Sequence, residues 1–270
     1  QGEYTKEIAV LIKKNNMGLP IIPKTSDQLL DIPEDTRNFI VKNMVDRIKT
    51  QLNNLNIKFD NWFYETSLFD EKSKYKPNHL IQKLEESGNL YNDGTNAIML
   101  KAEEPRVLVK SDGSYTYFAT DLAYHHLKMK EYDVVIDVWG ADHHGYIPRM
   151  KSGLKALGHK TDKLDIHLIQ FANLYRDGEK ISMSTRKGEY VELNELGDEI
   201  GNDAINFFYL TKNKDQHLDF DLNVAINQNK NNPVFYIQYA HARIEKILTE
   251  VGGYQDKEYD LQSLDHKLEK

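Results

Sequence analysis

Cysteine is absent from all 270 residues, which excludes disulfides, thiol catalysis and cysteine-bound zinc and fits a cytosolic protein. Long apolar runs are also missing: none approaches the roughly 20 residues that a membrane-spanning helix needs. Positive charge is not in excess. The net charge is −7, so nothing global advertises a polyanion, and any nucleic-acid contact must come from local patches. There is no internal repeat and no signal or transit character, and Gln1-Gly2-Glu3-Tyr4 carries no initiator methionine. What remains is a soluble globular composition, 40% hydrophobic and 29% charged, long enough for one large or two modest domains.

Periodicity organises the chain. Pro33-Glu34 opens a long amphipathic helix to about Leu55, with Phe39, Ile40, Met44, Val45, Ile48 and Leu52 at helical spacing. Ile57 to Phe63 reads as a strand, and Asn78 to Glu86 as a helix stopped by Gly88. Strands over Ala97–Leu100 and Arg106–Lys110 flank the turn Ser111-Asp112-Gly113-Ser114. A helix from Phe118 to Glu131, a strand ending at Trp139, a helix to Leu157 and a strand from Asp165 to Phe171 make a βαβ arrangement, hence the α/β class with a parallel sheet. From Ile200 to Thr211 and again from Asn223 to Val251 the period is helical, with no further strands expected. A composition change at Ile226 to Asn232 places a boundary there, dividing the chain into 1–226 and 227–270.

Three stretches invite chemistry, and each also has a plainer reading. Tyr132 to Trp139 reads as a strand buried on both faces, and it breaks at Gly140 into Ala141-Asp142-His143-His144-Gly145. Ligands collect beyond the carboxyl ends of such strands: glycine admits a ligand to the backbone, and Asp142 can accept two hydroxyls of a ribose. The plainer alternative is an ordinary strand-to-helix turn. The same turn suggests a metal, but neighbouring residues in one turn seldom converge on one ion. The stretch Arg176 to Gly188 gathers two glycines, three hydroxyls and four cations after a strand, which suits a triphosphate or a solvated surface loop. Tyr117 and Asp121, four apart on a helix, suit a guanidinium or ammonium ligand, or else a packing tyrosine beside a helix-dipole aspartate. His125, His126, His217 and His241 read as helix-surface or satisfied packing residues.

Taken in order, these stretches resemble the second half of the catalytic domain of class I aminoacyl-tRNA synthetases, specifically arginyl-tRNA synthetase. Trp139 to Gly145 is similar to that class's ribose-binding strand end, Glu179 to Arg186 to its mobile KMSKS loop, and Tyr117 to Tyr124 to the helix that reads arginine. Phe59 to Leu68, and Asn232 to Arg243 with its Asn-Pro-Val-Phe-Tyr opening, also resemble bacterial members. The resemblance implies a Rossmann-like catalytic domain followed by the start of an all-helical anticodon-reading domain. It implies ATP with Mg2+, L-arginine and tRNA(Arg) as partners, a cytoplasmic monomer, and no protein-bound metal. Tyr117 and Asp121 would take the guanidinium. Gly140, Asp142, His143, His144, Met183, Ser184 and Thr185 would take ATP. Lys180, Arg186 and Lys187 would supply loop cations, and Tyr239 and Arg243 would touch tRNA.

Two departures stand out. No His-x-Gly-His occurs, so the HIGH element of the class is expected upstream of Gln1; on that expectation the chain alone is a fragment nearly inactive in ATP–pyrophosphate exchange. Thr185 stands where the KMSKS pattern has its second lysine. Two rival readings remain: a manganese-dependent phosphoesterase of the Asp-His-His kind, and a non-catalytic tRNA-binding synthetase remnant. All of the site assignments assume that three distant stretches meet along one rim of a single sheet.

Overall fold

The computed structural model describes residues 3–15, 17, 32–102, 105–183 and 191–252. Its centre is a parallel strand pair with one helical face. Helix α4 (Tyr117–Glu131) precedes β4 (Val135–Gly140), which pairs in parallel with β5 (Leu164–Ile169), in register from Val135↔Leu164 to Gly140↔Ile169. Parallel neighbours need a crossover, and α5 (Ile147–Ala156) provides it. The Thr116 hydroxyl accepts the Ala119 amide hydrogen at the start of α4.

Leu122, Ala123 and Met129 of α4 pack with Met150 and Leu154 of α5 and with Val135 and Leu164 beneath. Gly153 permits the close approach of the two helices. A Cβ there would lie 2.8 and 2.9 Å from the two Leu122 methyls.

Strand β4 corrects one expectation. Val135 and Asp137 face the helices and are buried, while Ile136 and Val138 on the other face are 60% and 68% exposed. An apolar strand is buried on both faces only when elements cover both, and among the described residues one face is covered.

Before this unit, α2 (Glu34–Asn54) and α3 (Pro77–Glu86) form as their periodicity predicts, and Gly88 with φ +70° stops α3. The expected strand over Ile57 to Phe63 does not form. Its aromatic residues make ring contacts instead: Phe59 meets Trp62 edge-on at 5.6 Å, and Phe63 stacks on Tyr124 of α4 at 4.1 Å. Closely spaced aromatic side chains carry the same sequence signal whether they dress a strand or wedge an extended chain against a helix. Strands β1 (Leu90–Asn92), β2 (Ile98–Leu100) and β3 (Arg106–Val109) form a small antiparallel sheet.

A second core lies further along. Strand β6 (Ala172–Arg176) pairs in antiparallel fashion with β7 (Glu179–Lys180) and in parallel with β8 (Leu218–Asp221). Leu174, Leu218 and Phe220 of this sheet pack with Leu196 of α6 (Leu193–Ile200), Ile205 of α7 (Asn202–Leu210) and Leu222 of α8 (Leu222–Ile226). The presence of β8 overturns the expectation of a strand-free carboxyl region. Leu218 and Phe220 alternate inward over only four residues, too short a run to stand out between helices.

The single sheet is also corrected. Among the described residues there are three sheets, because β4–β5 and β7–β6–β8 share no strand pairing. The last described helix, α9 (Pro233–Glu250), begins at Asn232, whose side-chain oxygen accepts from Val234 and whose amide donates to the Ala225 and Asn227 carbonyls. That buried clamp explains why the asparagine-rich stretch near the expected boundary is an ordered corner.

Candidate active site

The first turns of α4, the turn after β4 and the segment around Phe63 enclose a cleft of about 570 Å³. Phe63, Tyr117, Tyr124 and Tyr146 give it aromatic walls, and Asp121, Glu65 and His143 bring polar groups. Tyr117 is 88% exposed, so it is not a packing tyrosine. Asp121 is the fifth residue of α4, past the first turn where a helix dipole acts most strongly, and its side chain is 35% exposed. Burial first, and then the nearby Asp121 carboxylate, push the Tyr146 phenol well above its usual range.

A buried charge chain runs away from the cleft. The His125 Nδ1 lies 2.8 Å from the Asp121 carbonyl oxygen and 3.1 Å from its Oδ1. The His125 Nε2 lies 2.6 Å from Asp137 Oδ2, and Lys128 Nζ donates to Asp137 Oδ1 at 2.5 Å. Burial pushes the His125 imidazole down, but hydrogen bonds to Asp121 and Asp137 outweigh it and raise it to about 9. Burial likewise opposes the Asp137 charge, and the bonds to His125 and Lys128 hold that carboxyl below its usual range. His125 is thus a buried packing residue with both ring nitrogens partnered, the second of the two readings expected for it.

This has a consequence for stability. A histidine raised in the folded state stabilises fully below its unfolded value near 6.5, and that contribution is lost as pH rises through about 9. Thermal unfolding from pH 6.5 to 9.5 is expected to show wild type losing on the order of 3 kcal/mol relative to His125→Gln. A wild-type profile parallel to that of the variant would remove the charge from His125.

The turn beyond β4 divides its two histidines. His143 lines the Asp121 cleft, whereas His144 lines a separate cleft of about 520 Å³ with Arg149, Lys151 and Lys155. Gly140 has ordinary strand-like dihedrals, φ −66° and ψ 147°, so backbone freedom is not its role. A Cβ there would sit 2.6 Å from Asp142 Oδ1, so the missing side chain makes room for that carboxylate. A short 3-10 turn, Ala141–Tyr146, leads directly into α5 at Ile147.

The cation-rich stretch begins as an ordered hairpin. Asp177 and Gly178, at φ 53° and 78°, form the two-residue turn between β6 and β7. Asn223 clamps that turn by accepting the Asp177 amide hydrogen at 3.0 Å and donating to its carboxylate at 2.8 Å. Arg176 pairs with Glu199 at 2.5 Å. Lys180 is exposed on β7 and Met183 is 45% exposed. Ser184, Thr185, Arg186 and Lys187 lie outside the described residues.

On α9, Arg243 donates to the Tyr239 hydroxyl at 3.0 Å and lies 5.7 Å from its ring centre, with half of Tyr239 exposed. Among the described residues, no three histidine, aspartate or glutamate side chains gather to hold a metal ion. No described helix is long and apolar enough to cross a membrane.

Phe63, Glu65, Tyr124, His125 and Tyr146 were not picked out by the candidate-site reading. One signal was available: Asp137 interrupts an apolar strand, and a carboxylate at an inward position must have a cationic partner.

Comparison with known proteins adds an independent finding. The family model described as tRNA synthetases class I (R), catalytic domain, matches residues 26–247. The arginine–tRNA ligase of Azoarcus sp. (strain BH72) is 42% identical over 277 residues, covering 94% of this chain and 47% of that protein. The one from Aromatoleum aromaticum is 49% identical over 210 residues, covering 76% of this chain and 35% of that protein. The chain thus spans half or less of the length of these curated relatives. An arginyl-tRNA synthetase structure from Campylobacter jejuni superposes with a TM-score of 0.80 at 34% identity, over 98% of this chain and 57% of that one. The Plasmodium falciparum arginyl-tRNA synthetase superposes at 0.62 with 19% identity, over 94% and 46%, a likeness of fold.

Proposed function

The chain belongs to the family of class I tRNA synthetase catalytic domains for arginine, and from that premise we propose that its protein activates L-arginine with ATP and transfers it to tRNA(Arg). The observation that carries this reading is the cleft where a half-buried Asp121 carboxylate stands among Tyr117, Tyr124, Tyr146 and Phe63. A planar cation that also stacks on aromatic rings is what such a cleft fits, and guanidinium does both.

The proposed chemistry forms no covalent bond to the protein. The arginine carboxylate attacks the α-phosphorus of ATP, pyrophosphate leaves, and a terminal ribose hydroxyl of the tRNA then takes the arginyl group from AMP. Positioning and charge stabilisation do most of the work. Asp121 and Tyr117 hold the guanidinium, Gly140 and Asp142 the ribose, and His143 stands beside the nucleotide from within the cleft. His144 lines the neighbouring cationic cleft, which fits phosphate better than arginine. Met183 leads into Ser184 and Thr185, assigned with Lys180, Arg186 and Lys187 to the triphosphate.

Mg2+ is assigned to the incoming nucleotide as part of the substrate. Tyr239 and Arg243 on α9 are assigned to tRNA, with residues from 227 onward opening a helical anticodon-reading domain. The protein is proposed to act as a cytoplasmic monomer. Neither the phosphoesterase nor the remnant alternative gains support from the relatives compared, which are named arginine–tRNA ligases.

The full-length protein carrying this sequence should catalyse ATP–pyrophosphate exchange that requires arginine and tRNA(Arg), and should charge that tRNA. Exchange driven equally by lysine, or no charging of tRNA(Arg), would refute the assignment.

A further inference from the structure

We propose that His125 is a positioning residue of the arginine subsite, setting the direction in which Asp121 presents its carboxylate, and that Asp137 and Lys128 hold His125 in place. The inference rests on the reading of Asp121 as the guanidinium partner. His125 follows Asp121 by one helical turn, is 3% exposed, and does not itself line the cleft.

The hydrogen bonds determine what the ring does. Its Nδ1 faces the Asp121 carbonyl oxygen at 2.8 Å and Oδ1 at 3.1 Å. A carbonyl oxygen only accepts, so Nδ1 carries a proton directed at it, and the carboxylate Oδ1 lies within ion-pair distance of the same nitrogen. The Nε2 faces Asp137 Oδ2 at 2.6 Å. The ring is anchored at both ends and cannot turn without breaking both bonds. The Asp121 side chain stays 35% exposed at the cleft wall, so it remains open to a ligand there. Bidentate docking of a planar guanidinium depends on a fixed carboxylate plane.

Charge balance points the same way. Asp121, His125, Asp137 and Lys128 alternate in sign along one chain of contacts. The two central members are the most buried, at 3% and 8% of side-chain exposure, and the outer two reach solvent at 35% and 17%. Without His125 and Lys128, β4 would bury a bare carboxylate, and without His125, Asp121 would lose its orienting donor.

Two near-isosteres separate positioning from mere packing. An asparagine amide nitrogen can occupy the place of Nδ1, and a glutamine amide nitrogen that of Nε2. In the full-length protein, with saturating tRNA(Arg), His125→Gln should raise the KM for arginine about tenfold and leave the KM for ATP within about twofold. His125→Asn should keep the arginine KM within about threefold of wild type. Equal rises in both variants, arginine and ATP constants rising together, or no rise in His125→Gln would overturn the inference. If Asp121→Ala also leaves the arginine KM untouched, the reading of the cleft falls with it. If Asp121→Ala acts and His125→Gln does not, the inference falls alone.

A measurement without substitution covers variants that fail to fold. In the wild-type protein the ¹⁵N signal of the His125 Nδ1 should move on addition of arginine. An Nδ1 signal indifferent to saturating arginine would count against the proposal.

Discussion

Asp121→Ala should raise the arginine KM of the full-length protein by about 100-fold or more while moving the ATP KM only a few-fold. Breaking a buried ion pair by removing one partner costs about 3–5 kcal/mol, because the remaining charge stays desolvated and unpaired. Here the cleft is open enough to leave the Asp121 side chain 35% exposed, so some water reaches the site and the low end of that range applies. At about 1.4 kcal/mol per factor of ten, that is roughly two decades in affinity. Asp121→Asn should fall between, since the amide keeps the shape and loses the charge. Steady-state kinetics with each substrate varied in turn decides the matter. If both constants rise together, Asp121 supports the whole active site and does not select arginine.

Gly140→Ala should act on the other substrate. The added methyl would come 2.6 Å from Asp142 Oδ1, a distance no Cβ tolerates, so the carboxylate must swing away. It can do so, being well exposed, and the fold survives while the proposed ribose acceptor is misplaced. Losing one hydrogen bond from a charged acceptor costs about 1.5–3 kcal/mol, or roughly 10- to 100-fold in the ATP KM. Asp142→Ala should give a similar loss. Because glycine acts through the aspartate, the double variant should be no worse than either single one, a coupling that non-additivity reveals. Simple additivity would mean that Gly140 serves ATP by a route other than Asp142.

Much of this was readable from residues alone, but unevenly. The helices at Glu34–Asn54 and Tyr117–Glu131 and the parallel βαβ crossing follow from spacing and turn chemistry, whereas the choice of Tyr117 and Asp121, which line the cleft, rested on the family resemblance. Ile57 to Phe63 misled, because Phe63 stacks on Tyr124 of α4, Phe59 meets Trp62, and the backbone enters no ladder. The Asp177-Gly178 hairpin was read only as part of a cation-rich loop, and the clamp from Asn223 that orders it lies 46 residues away. His125 looked ordinary because its value depends on Asp137, which joins it only when β4 packs under α4.

The family, the α/β class and the order of the site motifs are properties of the amino-acid order itself, since periodicity, turns and short motifs act between neighbours a few residues apart. Tertiary structure decided which charges meet, that His143 and His144 face different clefts and, among the described residues, that one face of β4 is open and the strands divide into three sheets. The reason is physical. A buried charge is tolerable only beside its counter-charge, and the identity of that partner is set by which elements pack together, a relation between distant residues that no local pattern records.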